Sequence, residues 1–596
     1  MNWKTPRLAP LIRRFRRLRL YHPVVFLIGC WLLSSAVAEQ KPTQMSDSLQ
    51  SLASDFWEWR ARYQPFSKDD IPRIDHPAGR RDWSATSLTK QRKDLSRYEA
   101  RWKQIDPTGW TVAERVDYRL VGSAMARVRW ELDLNRRWER DPSFYLDQTL
   151  TALLEALLEP PPFNADRSRE IGTRMEEIPE ILAEGRKNLR PVRPFAQLAL
   201  DDLEQVRRKL LRVQAEVAPL LQGKSGEAGI GAGFKQSTEK AITALESYQS
   251  WLQQELGKMP GNAGVGRANY EFFLNQIALL PYSPDQLFRI SAQEWARAVS
   301  FEQYEKVRNQ GLPELKLAAN LDEQIEQSQG QELAIRKFLE DKGILTVPVE
   351  IRHYTIRPMP GYLEALGNFG ELDDFTGPSR LHDDGVRWMS PPAQNLGYFW
   401  LATAKDARPD MVHEGVPGHY FQMSLSWKHE DPIRRHYYDS GANEGIGFYA
   451  EEMMLQAGLF DDSPRTREII YNFMRLRALR VEVDVKLALG TFTIKQAADY
   501  LAQHVPMDQK TAEAEAALFG TTPGQAISYQ IGKNEILRFL ADARVAQGDK
   551  FSLRAFDDFL WKNGNVPIAL VRWEYLGKED DIRMLDKQRH AVALRK

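Results

Sequence analysis

Apolar residues recur at three- and four-residue spacing along most of this chain, and this periodicity constrains the fold more than any other feature. From about residue 46 to residue 222 the pattern runs through long polar segments. One segment carries it at Leu198, Leu200, Leu203, Val206, Leu210 and Leu211. Ser283, followed by Pro284 and then by Gln286, is typical of a helix start. We therefore predict a mainly α-helical fold.

The pattern changes between Ile344 and Ala404, where β-prone residues replace the helical spacing. One β-prone run extends over residues 347–356, and a short aromatic run extends over residues 397–402. We predict that both runs form strands of a small sheet. The edge at Tyr398 is predicted to align an extended peptide, because a free strand edge can pair with a peptide backbone. The first run is equally compatible with a structural hairpin that covers the core.

The N-terminus has the pattern of a targeting segment. Basic residues precede an apolar run from Val24 to Leu33, and the sequence Ala-Val-Ala ends at Ala38. The apolar run is shorter than the ~20 residues of a membrane-spanning helix. We predict a signal peptide over residues 1–38, cleaved after Ala38, and export to the periplasm. A lipoprotein site at Cys30 and an uncleaved N-terminal membrane anchor are the alternatives.

Cysteine content and charge exclude several classes of function. Cys30 is the only cysteine, so a chain cleaved after Ala38 has no disulfide, no thiol nucleophile and no thiolate metal site. Lys plus Arg and Asp plus Glu both number 81, which gives no bulk charge to attract nucleic acid. Residues 39–596 are predicted to form one large domain, with a helical part over about 39–340 and the sheet and catalytic part over about 341–596. We predict no transmembrane span in the mature chain.

The segment His413–His419 reads His-Glu-Gly-Val-Pro-Gly-His and places two imidazoles and a carboxylate close together. Zinc-peptidase helices usually carry two histidines four residues apart, which puts both on one face. Here the separation is six residues, and a regular helix would leave the rings roughly 120° apart. Pro417 and Gly418 can interrupt the helix between them. We therefore predict a bulged turn that swings His419 back toward His413.

A third metal ligand is predicted at Glu444, in a helix-like segment beyond the second histidine. Two histidines and one glutamate are a ligand set for catalytic zinc that leaves a position open for water. Gly445 and Gly447 lower helix propensity, which indicates close packing of backbone against backbone beside the histidine helix. Glu451 is the alternative to Glu444 as the third ligand. Glu451 and Glu452 are otherwise expected to be solvated charges or supporting groups next to the ligands.

Two further side chains complete the predicted chemistry. Glu414 follows the first ligand directly and is predicted to accept a proton from the water at the metal. An oxyanion that develops during hydrolysis needs a hydrogen-bond donor besides the metal. Tyr529 carries a phenol that can supply this hydrogen bond, although its local composition by itself favours a position in the core.

These motifs together resemble the bacterial family called domain of unknown function 885. They are His-Glu-x-x-Pro-Gly-His, Glu-Gly followed by Tyr-Ala-Glu, and Ser-Tyr-x-Ile-Gly, all within about Tyr398–Leu570. The resemblance implies a mostly helical, gluzincin-like zinc metallopeptidase. It implies that the zinc ligands are His413, His419 and Glu444 and that the base is Glu414. It implies an oxyanion donor at Tyr529. It also implies a helix that borders the cleft and carries Arg477, Arg480 and Asp484.

The chain departs from the family pattern at three positions. Ile446 stands where many members have tryptophan, and Ala488 and Asp557 each stand where a histidine is expected. None of these positions is a predicted zinc ligand. The departures indicate an altered substrate pocket, and a catalytically inactive relative remains an alternative.

The predicted function is hydrolysis of peptide bonds by one zinc ion, with short peptides as substrates because a large helical shell would enclose the site. Two alternatives belong to other classes. One is a non-catalytic exported binding protein of the same fold. The other is a metal-dependent amidase or esterase that acts on a non-peptide, since the zinc chemistry would be the same.

Overall fold

Helices dominate the chain, and one small sheet accompanies them. The computed structural model describes residues 44–68, 80–222 and 230–593. The predicted signal peptide, with its cleavage site at Ala38 and the alternative lipoprotein site at Cys30, lies outside these residues. The prediction of a mainly α-helical fold with a small sheet is confirmed. Among the helices of the described ranges, none is both long enough and apolar enough to cross a membrane.

The first part of the described chain consists of helices and their connections. Its helices are α1 Gln44–Tyr63, α2 Ala85–Gln104, α3 Val112–Arg129, α4 Arg137–Arg140, α5 Ser143–Leu146, α6 Ala152–Leu158, α7 Ala165–Asn188, α8 Arg193–Asp202, α9 Val206–Val217, α10 Ile230–Glu255, α11 Arg267–Phe272, α12 Pro284–Arg308 and α13 Leu321–Asp341. The predicted start of α12 is confirmed. The Ser283 hydroxyl accepts from the Gln286 N–H, and the Gln286 side chain accepts from the Ser283 N–H.

A three-stranded sheet follows α13. Its strands are β1 Tyr354–Pro358, β2 Asp373–Asp374 and β3 Gly385–Met389. The order is β1-β3-β2, with β1 parallel and β2 antiparallel to β3. β1 covers only the end of the first predicted run. Pro348 has no N–H for a ladder and instead accepts from the Ile351 N–H in a turn.

The second predicted strand is wrong. Residues 398–402 belong to a helix, α15 Tyr398–Lys405, so no strand edge at Tyr398 is available to a peptide. The Asp508 carboxylate accepts from the Tyr398 N–H at 2.9 Å and satisfies the first turn of this helix. A short apolar run fits a strand or a buried helix equally well, and the acceptor that decides between them lies far along the chain.

The remaining helices carry most of the motifs that resemble the family pattern. They are α14 Gly361–Leu366, α15 as above, α16 Arg408–Asp410, α17 His419–Ser426, α18 Pro432–His436, α19 Ser440–Ala457, α20 Pro464–Leu489, α21 Ile494–His504, α22 Gln509–Thr521, α23 Ala526–Gln547, α24 Leu553–Lys562, α25 Ile568–Leu576 and α26 Asp580–Ala593. A π-helical turn, Met411–Gly415, continues α16. The described residues from Gln44 onward form one compact unit.

Helices α19 and α23 approach each other through glycine. A Cβ atom at Gly445 would lie 2.7 Å from the Gly532 Cα atom, so neither position has room for a side chain. The carbonyl of Gly441 also lies against Gly532. The predicted backbone-to-backbone packing of Gly445 is confirmed, but its partner is α23. The contact brings Tyr529, less than one turn before Gly532, toward the helix that carries Glu444.

Side chains of the sheet contact the π-helical turn and the residue before it. Arg387 of β3 forms ion pairs of 2.8 Å with Asp373 of β2 and with Asp410 at the end of α16. Tyr354 of β1 donates its hydroxyl to Asp373, and its ring packs directly against Gly415. Because these groups are buried and mutually paired, they hold the turn at a defined position relative to the sheet.

Candidate metal centre

The helix that carries the two histidines is interrupted where the sequence predicts it. The π-helical turn ends at Gly415, Val416 is extended, and α17 begins at His419. The two imidazole rings lie 4.7 Å apart between centroids, at an angle of 80°. The predicted break is therefore confirmed, and it brings His419 back beside His413.

The chain can pass through this break only with glycine at one position. A Cβ atom at Gly418 would overlap the carbonyl oxygen of His413. On the other side, the Trp561 indole N–H donates to the Pro417 carbonyl at 2.6 Å. The glycine follows from the motif, whereas the indole comes from α24 and no local pattern indicates it.

The three predicted ligands converge on one point. His413 Nε2 lies 3.3 Å from Glu444 Oε2, and His419 Nε2 lies 3.4 Å from the same oxygen. The three ligand atoms all lie within 4.8 Å of one another, and all three residues are buried. Tetrahedral zinc with bonds of about 2.0–2.1 Å sets neighbouring ligand atoms roughly 3.3 Å apart. The donor set and its spacing therefore fit a single zinc ion.

Helix α19 presents more than one residue to the histidines. A Cβ atom at Gly447 would lie 3.0 Å from His413 Cε1 and 3.1 Å from His419 Cε1, so glycine lets both rings approach the helix. Gly447 follows Glu444 by three residues and therefore faces the same side. The prediction of close packing beside the histidine helix thus applies to Gly447.

Glu451 orients the first histidine and is not a solvated charge. Its Oε1 lies 2.7 Å from His413 Nδ1 and 2.9 Å from an Arg477 Nη atom. Burial acts to raise the pKa of Glu451, but Arg477 and the hydrogen bond from His413 outweigh it and hold the pKa below its ordinary value. An ionised Glu451 takes the proton on Nδ1, which leaves the Nε2 lone pair for a metal. The seven-residue spacing from Glu444 places both on one helical face, a signal that the sequence contained.

Glu452 is also buried. Of the two alternatives predicted for it, a solvated charge or a supporting group, the solvated charge is wrong. Lys533 of α23 lies 2.7 Å from its Oε2 atom, and Arg297 of α12 pairs with Oε1. Two cationic side chains of the protein therefore neutralise the charge of Glu452, which forms no ion pair with either histidine.

Glu414 is the accessible carboxylate of the cluster. Its side chain is 26% exposed, whereas the side chains of His419 and Glu444 are 6% and 1% exposed. Its Oε2 lies 3.9 Å from His419 Nε2. The surrounding protein removes enough water from Glu414 to raise its pKa well above the ordinary value, although His419 acts to lower it. A divalent cation beside it would lower this pKa again.

Tyr529 lies against the same cluster. Its ring is stacked on His413 at 6.1 Å with an angle of 15°. The Arg480 guanidinium lies 4.4 Å from the centre of the tyrosine ring and is itself held by two hydrogen bonds of 2.7 Å to Glu515. The structure therefore brings Arg477, Arg480 and Tyr529 next to the predicted ligands.

Asp484 has a different place from the two arginines. Its carboxylate accepts from the Gly524 N–H at 2.9 Å, from the Ile527 N–H at 3.3 Å and from the Tyr270 hydroxyl at 3.0 Å. Burial raises the pKa of Asp484 to about 7, against these hydrogen bonds. Asp484 thus holds the start of α23, the helix that carries Tyr529.

Tyr398 and the three departures from the family pattern lie outside the ligand cluster. The Tyr398 hydroxyl donates to Asn472 of α20, the helix that also carries Arg477 and Arg480. Ile446 is buried in the core, and the Ala488 carbonyl accepts from the Gly266 N–H. Asp557 is buried and accepts from the Tyr449 hydroxyl at 3.2 Å.

Comparison with known proteins places the chain in a family. A family model described as "Bacterial protein of unknown function (DUF885)" matches residues 75–574, which is most of the chain. None of the curated proteins matches this sequence.

Two solved structures share the fold. A candidate lipoprotein of unknown function from Shewanella oneidensis superimposes with a TM-score of 0.66 at 18% identity, over 90% of this chain and 100% of that one. A candidate lipoprotein from Colwellia psychrerythraea superimposes with a TM-score of 0.70 at 16% identity, over 91% of this chain and 99% of that one. At these identities the likeness establishes the fold alone.

Proposed function

This chain belongs to the bacterial DUF885 family of unknown function, and we propose that it is a zinc-dependent metallopeptidase that hydrolyses short peptides. The observation that carries the proposal is the convergence of His413, His419 and Glu444 at the spacing of zinc ligands, with Glu414 beside them. A gluzincin-like relationship of the fold is part of the same proposal.

The residues around the cluster have distinct roles in the proposed reaction. Zinc held by the three ligands would polarise the scissile carbonyl and lower the pKa of a bound water. Glu414 accepts a proton from the attacking water and delivers it to the leaving amine. Tyr529 donates a hydrogen bond to the oxyanion that develops from the carbonyl. Glu451 holds His413 in the required tautomer.

Alignment of the peptide belongs to the sheet rather than to the wrongly predicted strand at Tyr398. β2 pairs with β3 on one side only, so its other side is an edge. Phe375 follows β2 directly, and its ring centre lies 6.3 Å from that of His419. An extended backbone paired with β2 would pass beside the second histidine. This assignment is supported by the position of β2 at the end of the strand order and by its proximity to His419.

Export is the second part of the proposal. The basic and apolar N-terminal pattern supports a signal peptide that ends at Ala38. Two solved structures with this fold come from proteins described as candidate lipoproteins, which supports export and keeps the alternative of lipidation at Cys30. Mass spectrometry of the mature N-terminus distinguishes cleavage after Ala38 from a lipid on Cys30.

The test is digestion of a peptide library by the full chain, with and without a chelator. Cleavage should require the metal. Glu414→Gln should retain zinc and lose about 10²- to 10⁴-fold in turnover, because the base is removed and the ligands remain. Glu430→Gln, an exposed glutamate, is the control and should cleave normally.

Three results would contradict the proposal. Full activity of Glu414→Gln would remove this residue from the mechanism. Zinc-loaded protein that cleaves no peptide but cleaves amide or ester substrates would indicate a non-peptide hydrolase. Zinc-loaded protein without any hydrolysis would indicate a binding protein.

A further inference from the structure

The proposed mechanism does not use a cavity whose lining includes residues one helical turn before Glu444 and Tyr529. Ser440 of α19 and Gln525 at the start of α23 line this cavity. Ser440 precedes Glu444 by four residues, and Gln525 precedes Tyr529 by four residues. Four residues advance a helix by about 6 Å and return to nearly the same face. The cavity wall therefore continues the two helix faces that carry Glu444 and Tyr529.

Aromatic rings line the cavity together with a larger number of polar and charged side chains. Part of the cavity is open to solvent. Its rings come from separate parts of the chain and include Tyr63, Phe66, Trp83, Trp130, Trp138 and Phe273. Ligand pockets commonly combine aromatic rings with polar groups that fix the orientation of the ligand. A wall of this kind suits a large apolar or aromatic side chain.

One arginine in the cavity differs from the others. Arg60 forms an ion pair of 2.6 Å with Glu131, and Arg137 pairs with two buried aspartates. Arg127 also lines the cavity, yet among the described residues its guanidinium has neither a hydrogen bond nor an ion pair. Its charge acts on Asp439, but the two groups form no ion pair, and the Asp439 carboxylate accepts from the start of α19.

Trp83 contributes a buried indole ring to the wall of the cavity. Trp83 is 5% exposed, and its indole N–H has no acceptor among the residues that the structure describes. The ring itself is fixed by an edge-on contact with Phe144 at 4.7 Å. The group of the cavity wall that can bind a carboxylate is therefore the guanidinium of Arg127.

We propose that this cavity binds the part of a peptide next to the scissile bond, an aromatic or large apolar side chain accompanied by a carboxylate that Arg127 binds. This inference rests on the proposed peptidase function and adds a substrate class to it. An extended peptide advances about 3.3–3.6 Å per residue, so one helical turn corresponds to about two residues. The carboxylate is either the C-terminus of the peptide or an acidic side chain, and Arg127 recognises both by the same chemistry.

The test measures peptide binding to the full-length, zinc-loaded Glu414→Gln protein by calorimetry. One pair of peptides is acetyl-Ala-Ala-Ala-Ala-Phe with a free carboxylate or an amide at its C-terminus. A second pair is amidated throughout and carries Glu or Gln directly after Phe. In at least one pair the acidic member should bind about 10- to 100-fold more tightly. The pair that shows the preference identifies the source of the carboxylate.

Substitutions then assign the preference to the cavity. Arg127→Gln, added to the same background, should reduce the preference to less than about twofold. Arg129→Gln is the matched control, because it removes the same charge from α3 at a residue paired with Glu99, and it should keep the preference.

The outcomes separate this inference from the proposed function. Equal binding of acid and amide in both pairs overturns the inference, as does a preference that survives Arg127→Gln. If the native protein cleaves the library but shows no dependence on Arg127, the peptidase function stands and the cavity assignment fails. If Glu414→Gln cleaves as well as the native protein while Arg127 governs peptide binding, the cavity assignment stands and the proposed mechanism fails.

Discussion

Helix α19 carries two buried glutamates, Glu452 and Glu444, each at the centre of a cluster of partner side chains, and the two clusters differ in the charge of those partners. Glu452 faces Lys533 and Arg297, so cations of the chain itself balance its charge. Glu444 faces two imidazoles, which are neutral unless protonated, at the spacing of metal ligands. A buried charge needs a partner because it has lost its hydration. The first cluster is therefore complete as a structural ion pair, whereas the second has the composition of a site for an added cation.

The sharpest test of this difference is the removal of a ligand. Glu444→Gln should lower zinc affinity by more than the roughly 100-fold that supporting residues contribute. His413→Ala should have the same effect. Elemental analysis of the purified chain measures the resulting loss of zinc content, with Glu452→Gln as the control. Normal zinc content in either ligand variant would remove that residue from the site.

The structural cluster should respond in the opposite sense. Glu452→Gln leaves the buried Lys533 ammonium without its carboxylate and should lower the free energy of unfolding by about 3–5 kcal/mol, with zinc content unchanged. Urea unfolding measures the change. Asp341→Asn, which breaks an exposed pair with Lys337, should cost less than about 1 kcal/mol. Equal effects of the two substitutions would contradict the structural role of Glu452.

Asp439, the residue that caps α19, is a third buried carboxyl, and it has no ion pair within the described part of the chain. Its effect on stability should therefore depend on pH. Burial raises its pKa from 3.8 to about 7. Between about pH 4 and pH 7 the unfolded chain releases this proton while the folded chain retains it, so this carboxyl destabilises the fold progressively as the pH rises. Asn keeps the cap and cannot ionise. Asp439→Asn should therefore increase the free energy of unfolding at pH 8, by up to about 4 kcal/mol, and leave it nearly unchanged at pH 4.

Urea unfolding of the native chain and of Asp439→Asn at both pH values measures this difference. A gain at pH 4 that equals the gain at pH 8 would show that ionisation of Asp439 is not its cause.

The smallest expected effect concerns the residue between the two clusters. Glu451→Gln should lower zinc affinity by about 10- to 100-fold, because a neutral amide replaces the carboxylate that fixes the tautomer of His413. Competition with a zinc chelator measures this affinity. Glu452→Gln, one position along the helix, should leave it unchanged. Equal zinc affinity in the two variants would show that Glu451 does not orient the ligand.

Much of the site could be predicted because its information is local. The ligand types, the seven-residue motif and the Pro-Gly step lie within one short segment, and they predicted the helix break that the structure contains. Helical periodicity predicted the fold class, and Ser283 with Gln286 predicted the start of α12. In each case the residues that decide the outcome are neighbours in the chain.

Other features depended on residues far apart in the chain. The run after Gly397 became a helix with an N–H satisfied by Asp508. Glu451 and Glu452 have the same chemistry in the sequence, and only the positions of Arg477 and Lys533 gave them different partners. Local chemistry thus determined which residues can bind a metal and where the helix must break. Tertiary packing decided which buried charges the protein neutralises itself, because neutralisation depends on contacts between segments that the sequence separates.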